Sequence, residues 1–154
     1  MKNKSFNVPQ VIKTKILEVV LKRFGLKDFF QLRDRIDGLD YFNKYLYRIY
    51  SIYVCEQIFG IELINKERIL SSSTSFYYNS KNYITTFTTD IHNIKIPNEN
   101  FDNCVVVKVT ENSNKANYLG YISMDECIRI KSNLKDNSYS LNKFLLEIKA
   151  DQLT

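Results

Sequence analysis

The first third of the chain places apolar and charged residues at a helical period. From about Ser71 the pattern changes to β-branched and aromatic runs separated by turn chemistry. Over Gln10 to Phe24, Val11, Ile12, Ile16, Val19, Val20 and Leu21 gather on one side, and Lys13, Lys15, Glu18 and Lys22 on the other. This spacing predicts an amphipathic helix that stops at Gly25, with Val8-Pro9 as an extended lead-in. Lys27 to Ile36 predicts a second short helix, ending near the turn dipeptide Asp37-Gly38. Asp40 is the expected N-cap of the longest helix, Tyr41 to about Phe59, with Gly60 at its end. Phe42, Tyr45, Leu46, Ile49, Ile52, Tyr53 and Ile58 surround much of its circumference, so it is expected to pack between a sheet and other helices. For the same reason Tyr41, Tyr45, Tyr47, Tyr50 and Tyr53 read mainly as packing residues.

Ser71-Ser72-Ser73 breaks the helical pattern and reads as a loop, after which Ser75 to Tyr78 and Tyr83 to Thr89 read as the two strands of a hairpin. Asn79-Ser80-Lys81-Asn82 supplies the turn. Cys104 to Val109 is almost continuously apolar, which marks a central strand covered on both faces. Ala116 to Ile122 returns as another strand after Asn112-Ser113-Asn114. Ser123-Met124-Asp125-Glu126 then opens a short helix running through Ile130. Leu141 to Ile148 predicts a closing amphipathic helix. The fold class is α/β, bordering on α+β: N-terminal helices, then a mixed central sheet flanked by helices. The whole chain, 1–154, reads as one domain with a helical part over 1–60, a sheet core over 71–130 and a closing helix over 140–150.

Composition changes this picture little. The chain is 44% hydrophobic with 4 Gly and 2 Pro, enough to bury a core without metal or disulfide support. Twenty-two Lys and Arg against 17 Asp and Glu leave a net charge of +5, compatible with a polyanionic partner. Cys55, Cys104 and Cys127 are far apart, and His92 is the sole histidine, so a structural zinc site is not expected. Cys55 and Cys104 read as small buried hydrophobes in a reducing compartment. The start MKNKSFNVPQ has no apolar signal core and no run is long enough to span a bilayer, so the expectation is a cytoplasmic protein with no membrane partner.

Clustered glycines that could cradle phosphate are missing, and His92 stands in an expected loop or strand edge with no second imidazole to assist it. Lys13, Lys15, Lys22, Arg23, Lys27 and Arg33, with Arg35 close by and Lys81 on the hairpin, are candidate contacts to nucleic-acid phosphates. The alternative for the helical ones is a solvated face balanced by Glu18, Asp28, Asp34 and Asp37.

A long helix carrying Glu56, a hairpin whose second strand holds Thr85-Thr86-Phe87, the strand containing Val105 to Val107, and Gly120-Tyr121-Ile122-Ser123 leading into a helix follow one another. This order, over about 41–130, resembles the core of the PD-(D/E)XK restriction-endonuclease-like superfamily. The resemblance implies a Glu on the helix, an Asp on the first hairpin strand and Glu-X-Lys or Asp-X-Lys on the second. In such a site two carboxylates hold Mg²⁺ against the scissile phosphate and the lysine steadies the attacking water. Here Glu56 keeps its place, but Thr74 or Ser75 stands at the Asp position and Thr85-Thr86-Phe87 replaces the second motif. The implied protein is nuclease-like without an intact catalytic motif, binds DNA, another nucleic acid or a protein partner, and needs no cofactor. One alternative is an active Mg²⁺-dependent endonuclease with rearranged ligands: Glu56 and Asp102 on the metal, and Lys108 as the catalytic lysine. The other is a structural subunit of a larger assembly or homo-oligomer.

Overall fold

The computed structural model describes residues 4–91, 94–97, 99–131 and 138–139. Within them the chain runs β1 (Lys4–Asn7), α1 (Gln10–Phe24), α2 (Phe29–Asp34), α3 (Gly38–Phe59), α4 (Lys66–Ser71), β2 (Ser75–Tyr78), β3 (Lys81–Thr88), β4 (Ile94–Lys95), β5 (Asn103–Val109), β6 (Lys115–Ser123), α5 (Met124–Lys131) and β7 (Ser138–Tyr139). This is an α/β fold built on a mixed five-stranded sheet. The expected closing helix, Leu141 to Ile148, lies outside the described residues, as does His92.

The sheet order is β1-β6-β5-β3-β2, and β4 pairs separately with β7. Three of the four neighbouring pairs in the large sheet are antiparallel; β3 and β5 run parallel, with Tyr83 opposite Asn103 and Thr88 opposite Lys108. The apolar run expected to be central is β5, and the alternation of its side chains feeds two cores. Val105, Val107 and Val109 join α1 and α3 on one face, with Ile16, Val20, Ile49 and Tyr50. Cys104 and Val106 join Ile94, Phe101, Leu119, Ile122 and Cys127 on the other. The register between β5 and β6 shifts at Val106/Val107 because β6 carries one extra residue there, and Gly120 takes up the bulge with φ 142, a conformation side-chain-bearing residues rarely adopt.

Helix α1 matches its expected bounds and ends at Gly25. Helix α3 starts earlier than expected: Asp37, in the left-handed region, is its N-cap, and Asp40 falls inside the first turn. Gly38 is required by close approach, since a Cβ there would collide with the Leu32 carbonyl oxygen. Shorter than expected, α2 is capped by the Asp28 carboxylate, which accepts from the Gln31 N–H at 3.0 Å. Two elements correct the expected layout. The N-terminal part is not purely helical, because β1 pairs with β6 from Lys4 opposite Tyr118 to Asn7 opposite Lys115. Ser71 ends a helix, α4, that opens on the Asn65 side-chain cap, and Ser72 is its left-handed C-cap.

Candidate functional site

The β2 ladder on β3 ends early, and a cleft opens beyond it. The Thr85 N–H donates to the Thr74 carbonyl at 2.9 Å, one step past the last paired residues, Ser75 and Ile84. Because backbone groups alternate along a strand, the Phe87 N–H is directed to the same edge. A cleft of about 760 Å³ occupies the space, lined by Arg48 of α3, Ser71–Ser75, Thr85–Thr89, Lys95 of β4, Ile96, Pro97 and Glu99.

Its walls are tied together by hydroxyls. The Ser51 Oγ donates to the Arg48 carbonyl at 2.6 Å, so the 2.6 Å contact between Ser51 and Thr85 is made with the Thr85 proton. Both residues are buried, and the bond fixes α3 over β3. On the opposite face the Thr86 hydroxyl donates to the Lys95 carbonyl at 2.9 Å, which holds β4 under the sheet edge. Thr88 donates to the Asp90 carbonyl at 2.6 Å. With these three threonine protons committed inside the protein, donors for a ligand come from Arg48, Lys95, the Ser71–Ser75 segment and the strand edge. The described ion pairs, Arg33–Asp34 and Lys44–Asp40, leave Arg48 and Lys95 out.

The serine-rich rim is held by Arg68, which is half-buried on α4. Its Nε donates to the Leu63 carbonyl at 3.0 Å, and its Nη1 to the carbonyls of Ser73 at 3.0 Å and Ser75 at 2.8 Å. Desolvation holds its pKa below the usual guanidinium value. Arg23 secures the neighbouring turn by donating to the Leu70 carbonyl and, at 3.0 Å, to the Tyr41 hydroxyl. The Tyr45 hydroxyl donates to the Ile69 and Leu70 carbonyls, and burial raises its pKa.

Of the residues chosen from the sequence, Thr74, Ser75, Thr85, Thr86 and Phe87 converge on the cleft. Glu56, Asp102 and Lys108 do not line it. Glu56 Oε2 accepts from the Leu63 and Ile64 N–H groups, both at 2.8 Å, and so closes the turn after α3. Asp102 accepts from the Asn82 N–H at 2.7 Å near the start of β3, whereas Lys108 lies opposite Thr88 near its end. Among the described residues no three His, Cys, Asp or Glu side chains group as metal ligands would. Replacing Glu56 by Ala is expected to lower stability by about 1–3 kcal/mol, since two part-buried amides lose their acceptor; urea denaturation checks it.

The basic residues are dispersed. Lys13 is half-buried, Lys15 borders a smaller groove of about 380 Å³ between α1 and α4, and Lys22 and Lys27 are exposed. Arg33 lies over the Phe30 ring at 5.1 Å, and Lys81 sits at the hairpin turn, at the far end of β3 from the cleft. Arg48 and Lys95 were not singled out by sequence reasoning. The available signal for Arg48 was the basic pair Lys44-x-x-x-Arg48 in the most aromatic stretch of α3; Lys95 had none. Among the described residues no helix is long and apolar enough to cross a membrane. No family model matches the chain, and neither curated proteins nor solved structures give a significant match.

Proposed function

We propose that this domain works by binding and not by cleavage, and that the cleft between α3, the edge of β3 and β4 receives phosphate groups of a nucleic acid. The observation that carries this reading is the composition of the cleft: a serine and threonine lining, two cations, Arg48 and Lys95, that form no ion pair among the described residues, and the carboxylate of Glu99. Cations and oriented N–H and O–H donors suit phosphate oxygens. The resemblance to the PD-(D/E)XK core supports the same place on the fold, because the hairpin positions that carry carboxylates and lysine in that family are cleft residues here. Thr74, Ser75, Thr85, Thr86 and Phe87 can contact a strand, but none is an anionic ligand for Mg²⁺. Nuclease-like in origin and lacking its catalytic motif, the domain would recognise what its relatives cut.

The test is a fluorescence anisotropy titration with labelled oligonucleotides, run with and without Mg²⁺. Wild type is expected to bind with an affinity that falls as salt rises, without cutting. The Arg48→Ala/Lys95→Ala double variant is expected to bind at least about tenfold more weakly, from the loss of charge-assisted bonds each worth about 1.5–3 kcal/mol. Unchanged binding in the double variant overturns the cleft as the site. Mg²⁺-dependent cleavage abolished by Glu56→Ala or Asp102→Ala in a folded protein restores the rearranged nuclease.

One observation favours a protein partner as the second reading. Phe30 is 62% exposed and Ile36 88% exposed on and beside α2, with Phe29 partly exposed between them and the helix α3. Aromatic and arginine side chains together are typical of interface cores.

A further inference from the structure

The cleft does not end at Arg48. Along α3, Tyr41, Lys44 and Arg48 recur at the i, i+3, i+7 spacing of one helical face, and all three are exposed. The face therefore leads out of the cleft for about 10 Å, seven residues at 1.5 Å each. A second connection reaches the same place: Ser71 lines the cleft, and the preceding Leu70 carbonyl is bound by Arg23, whose other guanidinium nitrogen holds the Tyr41 hydroxyl at 3.0 Å. Tyr41 is consequently fixed in place. Its ring packs edge-on against Phe24 at 5.1 Å, yet the residue remains 38% exposed. Charge on this path is three cations, Arg23, Lys44 and Arg48, against Asp40, which is 3.3 Å from Lys44 in a pair exposed on both sides. Such a pair is weak and readily surrendered to a phosphate.

The size of the cleft limits its occupant. At about 760 Å³ it falls in the range of small-molecule sites. Nucleotides of one strand can enter it, whereas a double helix could only lie across its mouth. An immobilised, part-exposed aromatic ring next to a cationic groove is the arrangement by which single strands are held, a base on the ring and phosphates on the cations.

We infer that the ligand is a single strand of nucleic acid that runs out of the cleft over α3, with Arg48 and Lys44 on successive phosphates and the Tyr41 ring against a base. This rests on the cleft being a phosphate site. It adds the class of nucleic acid and the direction in which the strand leaves.

The experiment compares three labelled probes by anisotropy: a thymidine dinucleotide, an oligothymidylate long enough to reach from Lys95 to Tyr41, and a duplex of equal length. Each is titrated into wild type, Arg48→Ala, Lys44→Ala and Tyr41→Ala, with thermal melts confirming that the variants are folded. The oligothymidylate is expected to bind at least about tenfold tighter than the dinucleotide and tighter than the duplex. Arg48→Ala weakens both single-stranded probes and reduces the salt slope by about 0.7, one single-strand phosphate contact. Lys44→Ala and Tyr41→Ala weaken the oligothymidylate several-fold more than the dinucleotide. Should Tyr41→Ala lose thermal stability, Lys44→Ala carries the comparison alone. Equal affinity for dinucleotide and oligothymidylate overturns the path over α3 and leaves the cleft reading standing, as does a duplex bound as tightly as the single strand. Failure of all three probes to bind overturns both.

Discussion

Raising the pH from about 10 to about 12 is expected to remove roughly 2 kcal/mol of stability through Tyr50 alone, at about 1.4 kcal/mol for each pH unit by which its pKa is displaced, with the remainder lost above pH 12. Tyr50 is fully buried in the middle of α3, and burial pushes its phenol from the ordinary value near 10 up to about 12. The unfolded chain gives up this proton near pH 10, whereas the folded protein keeps it until about pH 12. Between those values the unfolded state binds fewer protons, so stability falls as pH rises. The contribution is present in full below pH 10 and is lost through the folded pKa. Burial also raises Tyr45, Tyr47, Tyr83, Tyr118 and Tyr121, which deepens the loss. Tyr118 is an extreme member, its hydroxyl buried without a hydrogen-bond partner among the described residues. Urea midpoints measured in steps from about pH 8 to about pH 11.5 should stay level and then drop. In Tyr50→Phe the drop should be shallower by one tyrosine's share. A midpoint that holds constant past pH 11 would contradict the burial of these phenols.

Arg68→Met is expected to cost about 3 kcal/mol and to weaken the proposed oligonucleotide binding in the anisotropy titration without itself lining the cleft. Methionine keeps much of the aliphatic stem but leaves the Leu63, Ser73 and Ser75 carbonyls without their shared donor. Bonds from a charged donor contribute about 1.5–3 kcal/mol each, and part of this loss is recovered where water reaches the freed carbonyls. The functional consequence follows from position. Ser73 and Ser75 are in the cleft rim, and with Arg68 gone the segment from Ser71 to Ser75 loses its tie to α4 and is left on β3 by the Thr74 carbonyl and the β2 pairing. Arg68→Lys supplies the charge but not the fork geometry, so it should recover less than half of the stability. Equal stability of wild type and Arg68→Met by chemical denaturation would remove Arg68 as the organiser of the rim.

Much of the fold was legible because its long elements agree locally with their surroundings. Helix α1 has one apolar stripe, and β5 is apolar on both faces because both faces are covered. The hairpin was legible from Asn79-Ser80, and both residues do take positive φ. What escaped was short or sustained by partners far away in sequence. Helix α4 has six residues and too few turns to show a period; an asparagine cap and the Arg68 bonds maintain it. Strand β1 carries only four residues, and nothing in Lys4–Asn7 announces that β6 will be beside it. The location of the candidate site was legible in part, since the hairpin residues flagged for their missing carboxylates are cleft residues. Its cations were not. Arg48 reads as one polar residue in a long helix, and Lys95 is brought under the sheet edge by the Thr86 bond to its carbonyl, a tertiary contact that no local pattern encodes. Glu56 stands on the helix where the resemblance implies a Glu, but it does not line the cleft, and its oxygen closes the turn after α3.

The pairing of β1 with β6 also dictates when the protein can be finished. Lys4 meets Tyr118, and the Val8 N–H donates to the Asn114 carbonyl at 2.8 Å, while the Asn114 side chain donates back to the Val8 carbonyl at 3.2 Å. Strand β1 is thus made long before β6, the partner it has to wait for. Until β6 has emerged, α1 to α3 can collapse on one another, but the first strand remains an unsatisfied edge. Contacts closing loops this long slow the search for the native state. A nascent chain halted before Lys115 should therefore be protease-sensitive around β1 as well as at its growing end.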